Sequence, residues 1–436
     1  MKRLLILSPA FPPLNAADLH RVRMSLPHYQ RNGWEVEVVC VDPSQQEHPK
    51  EPALLETIPS SIPIHQACAF PLSLGARFGV RNTGLRSLPF VFLKVLRLLT
   101  ARHFDLVFIS STQFVLFPLG RIWTLLTGVP CVLDLHDPWV SDAYDKPGAP
   151  PPPGGWKFTV AQVMAKALEG WSMRGAAGLL SVSPVYITTI QRRYPCTAST
   201  PSAVIEFGAS QQDMECAGLG PSPLPDDGRI HLVYTGASGP GLHGVIPAFL
   251  DGLALLHKTR PNLAEQLHVH FIGTCQVAEG LGTPTVAPLA AARGLSDLVT
   301  EVPHRLGHLE CLRYQQHSDV LLLLGSLDPA YSPSKLYPYI TAGRPLLCVA
   351  VQGGALAAKL SELRCGSSVV FSSVEQIAPA VAKLLARVAD ESQLEDVANR
   401  DMKRFRQHYL AEALTARQAG FFEEVLASHA GKRTQT

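Results

Sequence analysis

The chain has no Cys-x-x-Cys pair, no Asp-x-Asp, no long uninterrupted apolar run and no acidic residue between Thr57 and Phe104. Each absence removes a class. Nine cysteines stand singly along 436 residues, so neither a zinc ribbon nor a dithiol redox motif is present. Several lie in apolar runs, as buried free thiols of a reducing compartment do. No apolar stretch reaches the ~18 residues a spanning helix needs. A formal charge of +2 gives no global match to a nucleic-acid polyanion, so any basic effect is local and no nucleic-acid partner is expected.

What is there is enough for a large globular protein. Hydrophobic residues make up 46% of the chain, and its length calls for two domains. MKRLLIL resembles a leader, but Pro9 follows closely, so Leu4–Leu7 reads as a first strand and the protein as cytoplasmic. A helix is expected over Asp18–Arg31, with Arg21 and Arg23 read either as reaching a cleft or as solvated charges. Strands are expected at Trp34–Val41, Phe104–Ile109, Pro130–Leu135, Leu179–Val182 and Ala203–Ile205. After a stretch rich in Gly, Pro, Ser and Asp, strands resume at His231–Tyr234, Val269–Ile272, Val320–Leu324 and Leu346–Ala350. Alternating strands and helices predict doubly wound parallel sheets. The expected division is a domain over 1–208, a linker over 209–228 and a domain over 229–404. Helical spacing over Phe405–Leu426, broken at Gly420, gives a final helix. Pro147–Gly155 is a proline-rich loop, either a mobile excursion or a spacer.

Three stretches carry chemistry. In DVLLLLGSLDPAYSPSKLYPYITAGRP, Asp319–Pro345, a buried strand runs through a loop to Ser332-Pro333, a helix cap and first-turn pair. Ser334 and Lys335 then fall where unpaired amides and an ammonium would seat a phosphate. Pro338 would sit in that helix's interior, where it costs about 3 kcal/mol unless the helix kinks or starts later. Thr235–Gly244 is a glycine-rich turn after a strand; Gly236, Gly239 and Gly241 let backbone approach an anion, or make an ordinary tight connection. In Asp134-Leu-His136-Asp137-Pro-Trp139 a strand ends on polar residues, where open sheets bind ligands. His136 and Asp137 either face a substrate there or pack and cap a turn, and Asp134 reads as structural. His304 and His308 are spaced as metal ligands, but Pro303 and Gly307 argue against a shared helix, so no metal and no cofactor is expected.

Pro333-Ser334-Lys335-Leu336-Tyr337-Pro338-Tyr339, followed by Ala342-Gly343-Arg344-Pro345, resembles the nucleotide-sugar core of GT-B glycosyltransferases, in particular the family-four retaining enzymes. Asp134–Trp139 resembles that family's Asp-x-x-Asp-x-Trp signature. The resemblance implies a GT-B fold, two Rossmann-like doubly wound domains facing a cleft, with the final helix, 405–428, returning to the first. It implies a nucleotide-sugar donor and transfer with retention to a hydroxyl of a glycan or lipid-linked acceptor. It places Lys335, Ser334 and the Gly236–Gly244 turn at the diphosphate. His136 and Asp137 fall at the sugar and acceptor, and Glu301–Arg305, with His304, beside the base. Two family glutamates are replaced, by Ala330 and Pro338, and loss of a ribose anchor follows. A catalytically silent GT-B scaffold and a sugar-nucleotide epimerase are the alternatives.

The acid-free stretch holds Arg77, Arg81, Arg86, Lys94, Arg97 and Arg102 around apolar Leu88–Leu99. Two readings are open: an anionic membrane surface met by residues 77–102 in a peripheral protein, or a core helix with snorkelling cations.

Overall fold

The computed structural model describes residues 1–77, 80–140, 156–275, 277, 279–331, 333–390 and 397–433. The chain forms two compact units, Met1–Phe207 with Ala411–Thr436, and Gly208–Leu410.

The first unit is built on β1 (Lys2–Leu7), β2 (Trp34–Val41), β3 (Ile64–Ala67), β4 (Leu106–Ser110), β5 (Cys131–Leu135), β6 (Gly178–Ser181) and β7 (Ser202–Val204). Their order is β3-β2-β1-β4-β5-β6-β7, and every pairing is parallel. The strands are apolar on both sides because helices cover both faces. Leu5, Leu7 and Val107 face one core cluster, and Leu4, Ile6 and Phe108 the other. Order reverses between β1 and β4, where Leu4 pairs with Leu106, and the carboxyl end of such a switch point is where open sheets bind ligands.

The second unit repeats the plan with β8 (Ile230–Thr235), β9 (Leu267–Ile272), β10 (Val299–Val302), β11 (Val320–Leu324), β12 (Leu346–Val351) and β13 (Ser367–Phe371), ordered β10-β9-β8-β11-β12-β13. All pairs are again parallel, and order reverses between β8 and β11, where Val320 pairs with Leu232.

Several expectations need correction. Residues 209–228, read as linker, contain helix Gln211–Gly218, which starts on a Ser210 cap and is held by Gln316 Nε2 and Arg313 Nε on the Met214 and Ala217 carbonyls. The terminal helical stretch is two helices, Met402–Tyr409 and Ala411–Arg433, separated at Leu410 rather than at Gly420. Leu410 is extended because it bridges to Ala209. Gly420 lies on the open side of the second helix, where a glycine costs about 1 kcal/mol and need not end it. On the opposite side Phe422 stacks with Tyr29 and meets Trp34 and Phe108, so this helix belongs to the first unit. Arg21 and Arg23 are not solvated: both are buried within helix His20–Tyr29. Pro147–Gly155 lies outside the described residues.

Candidate functional site

At the carboxyl edge of the first sheet, Ser110 ends β4 and Asp134 lies in β5, its neighbour in register. The strand pairing therefore brings Ser110 Oγ to donate to Asp134 Oδ2 at 2.8 Å, 3.0 Å from His136 Nε2. His136 Nε2 donates to the same carboxylate at 2.6 Å. Arg21 reaches it from helix His20–Tyr29, Nε to Oδ2 at 2.9 Å, and donates through a second nitrogen to the Ile205 carbonyl at 2.6 Å. Phe207 closes the cluster, edge-on to His136 and beneath the Arg21 guanidinium. Burial alone would raise the Asp134 carboxyl, but Arg21 and His136 outweigh it and hold the group below the usual carboxylate range.

This arrangement fixes the imidazole. Nε2 is the ring nitrogen committed to Asp134, and Nδ1 is buried with no partner among the described residues. Asp137, next along, is exposed at the strand end. Partial desolvation raises its carboxyl above the ordinary value; His136 opposes the shift and Asp18 adds to it. Asp18 is itself tied down, accepting from the Thr112 amide and hydroxyl at 3.1 and 2.9 Å.

The corresponding edge of the second sheet holds Lys335. Its ammonium donates to the Tyr234 hydroxyl at 2.7 Å, lies 3.9 Å from that ring's centroid, and stands 2.9 Å from where a Cβ on Gly236 would be. No carboxylate among the described residues pairs with it, and burial pushes its pKa down to about 7. Gly236 has φ +115°, which an L side chain rarely adopts. The strand below is pinned: Tyr339 Oη accepts from the Thr235 amide at 2.8 Å, and Gln315 Nε2 donates to Thr235 Oγ1 at 3.0 Å.

The expected phosphate seat is altered in detail. The helix runs Leu336–Thr341 and so begins after Lys335, with no side-chain cap; Ser332, the expected cap, lies outside the described residues. The Leu336 and Tyr337 amides are used within the turn, on the Pro333 and Ser334 carbonyls. Ser334 is exposed. Pro338 is the third residue of this short helix, where an N–H has no intrahelical partner, so its expected cost is avoided. In the glycine turn, the Gly236, Ser238 and Leu242 amides donate to the Ile272, Thr274 and Gly239 carbonyls, which leaves only the remaining amides of 239–244 for an anion. Gly241 passes close to Ser326, whose Oγ is 3.3 Å from its Cβ position, while Gly239 is open.

Residues 301–305 begin in the last two positions of β10 and run beyond it. Glu301 accepts from the Thr285, Val286 and Ala287 amides and from the Thr274 hydroxyl, so its carboxylate is spent on holding the preceding loop. His304 is half-buried, with its carbonyl 3.8 Å from the Cβ position of Gly273 at the end of β9. His308 opens helix His308–His317 and pairs with Asp213 at 3.0 Å, leaving His304 outside that helix. Sequence reasoning missed Tyr234 and Ser110 as members of these clusters, for which a polar or aromatic residue near a strand end is the local signal, and left Arg21 open between a cleft and solvent.

Residues 20–199 match the family described as "Glycosyl transferase 4-like domain". No curated protein matches the chain in sequence. Among solved structures, HepE of Anabaena in complex with UDP is similar over 97% of this chain and 100% of its own, at 16% identity and a TM-score of 0.59. Sucrose-phosphate synthase of Thermosynechococcus elongatus is similar over 98% and 100%, at 16% identity and a TM-score of 0.62. WaaG, a glycosyltransferase involved in lipopolysaccharide biosynthesis, is similar over 93% and 99%, at 15% identity and a TM-score of 0.53. At these identities the likeness is one of fold. The chain thus matches a glycosyl transferase 4-like domain over residues 20–199, and its fold is the GT-B fold that these structures share.

Proposed function

We propose that the protein is a glycosyltransferase that moves a sugar from a nucleoside diphosphate donor to a hydroxyl acceptor, with retained anomeric configuration. The observation that carries this reading is Lys335, an ammonium with no carboxylate partner among the described residues, standing over Gly236 at a sheet's switch point. Breaking a sugar–phosphate bond leaves negative charge on the diphosphate. Lys335, protonated in the presence of the diphosphate, with amides of the 239–244 turn and of Ser334 beside it, stabilises that charge. HepE is known with UDP and with UDP-glucose bound, which makes uridine the first base to test, with His304 and its neighbours beside it.

The first unit handles the sugar and the acceptor in this proposal. His136 Nδ1, left open by the Nε2–Asp134 contact, forms a hydrogen bond with a sugar hydroxyl. Asp137 orients the attacking hydroxyl or faces the positive charge developing at the anomeric carbon. The acceptor is of the glycan or lipid-linked class, and the reaction proceeds without a metal or cofactor.

The test is isothermal titration with uridine, guanosine and adenosine diphosphate sugars, followed by product analysis with Lys335→Ala. The variant should lose most turnover, and near-wild-type turnover would reject the assignment. The lack of carboxylates at Ala330 and Pro338 favours one other reading, a silent scaffold. That scaffold would bind none of the donors.

A further inference from the structure

Helix Thr83–Ala101 is capped by Asn82, whose side chain accepts from the Leu85 amide at 3.0 Å. Val91, Val95 and Leu99 bury one side of it in the first unit's core. A spacing of four sets Leu85, Pro89, Leu93 and Arg97 along the other side, and all four are exposed. Leu85 and Leu93 are 45% and 47% accessible. Phe70 and Leu74, just before the helix, are similarly open, and Phe70 packs on Phe90 at 4.9 Å. The neighbouring helix, Phe117–Thr127, is tied on by Trp123 Nε1 donating to the Phe92 carbonyl and ends in the exposed pair Leu125 and Leu126.

The charge around this apolar face has one sign. Arg77, Arg81 and Arg97 are exposed and Lys94 is half-buried; of these only Arg81 has an acidic neighbour among the described residues, Glu47 at 3.5 Å. From Thr57 to Leu133 the only carboxylate is Asp105, which is occupied by the Arg3 amide and His103. Two cations expected at this surface are committed elsewhere. Arg86 is buried on the Phe70 and Gln45 carbonyls, and Arg102 is paired with Glu37.

We propose that this face docks on an anionic lipid bilayer. Leu85, Leu93, Phe70 and Leu74 would enter the boundary between headgroups and acyl chains, and Arg77, Arg81, Lys94 and Arg97 would meet lipid phosphates. A bilayer requires only these two things, apolar side chains at one depth and cations around them. The helix is not a spanning one; among the described residues no helix is long and apolar enough to cross a membrane. The proposal is independent of the donor chemistry.

The experiment is co-sedimentation of the full chain with phosphatidylcholine vesicles, with and without phosphatidylglycerol. Binding is expected only with phosphatidylglycerol and should weaken as salt rises. Each cation near an anionic surface contributes roughly fivefold in affinity, so Arg77→Gln with Arg97→Gln should lose roughly twenty-five-fold. Leu93→Glu should also release the protein; if it fails to fold, the arginine pair, both exposed, still decides. Equal binding to neutral vesicles, no binding, or binding unchanged by the arginine pair would overturn the proposal. Self-association on sizing without vesicle binding would overturn it in favour of a protein partner.

Discussion

The Lys335 ammonium stands 2.9 Å from the point a Cβ on Gly236 would occupy. The two residues therefore constrain each other: the lysine can lie across the turn only because position 236 has no side chain. Gly236 is also at φ +115°, so Gly236→Ala adds backbone strain of about 1–3 kcal/mol to a contact with Nζ. The variant should melt earlier by calorimetry and lose at least tenfold in donor affinity by titration. Wild-type affinity in a folded Gly236→Ala protein would separate the turn from the donor.

Burial holds the Lys335 pKa down to about 7, against an ordinary value near 10.4. Above pH 7 the folded chain has released this proton while the unfolded chain still carries it, so this group makes stability rise from pH 7 towards 10. A bound diphosphate restores the charge. At pH 8, UDP binding should therefore take up close to one proton, read from titrations in buffers of different ionisation enthalpy. Lys335→Met should abolish the uptake and flatten the stability profile above pH 7.

Arg21 and Asp134 form a buried pair that also orients His136. Arg21→Met leaves the carboxylate uncompensated, which typically costs about 3–5 kcal/mol. Urea denaturation should show that loss. Arg21→Met with Asp134→Leu should recover most of the stability while leaving the His136 ring without its anchor, so turnover should stay low where stability returns.

The alternation of strands and helices, and the Lys335 segment, were legible in the sequence because apolar runs and a compact motif are local signals. β3 and β13 were not. They are edge strands, and residues such as His65, Gln66, Ser367 and Ser368 dilute the apolar pattern. Arg21 stayed open between cleft and solvent because a helical arginine can serve either until its partner on β5 is known. The break at Leu410 was hidden for the same reason, since it depends on a bridge to Ala209. Gly420 offered a false break because its lack of a side chain matters little on an open helix face.

Pro338 offers a test that adds function rather than removing it. It stands third in helix Leu336–Thr341 and is half-buried, while its flanking residues Tyr337 and Tyr339 are buried. The family resemblance places a ribose-binding glutamate at this position. A glutamate near a helix start is favoured by the unpaired amides and the dipole, so Pro338→Glu should fold without loss of stability. A charged hydrogen bond contributes about 1.5–3 kcal/mol, so donor affinity should rise tenfold to a hundredfold by titration. Binding of the free base and of inorganic diphosphate should stay unchanged. If the variant folds and its donor affinity does not move, ribose is not held at this helix, and the motif's similarity ends at Lys335.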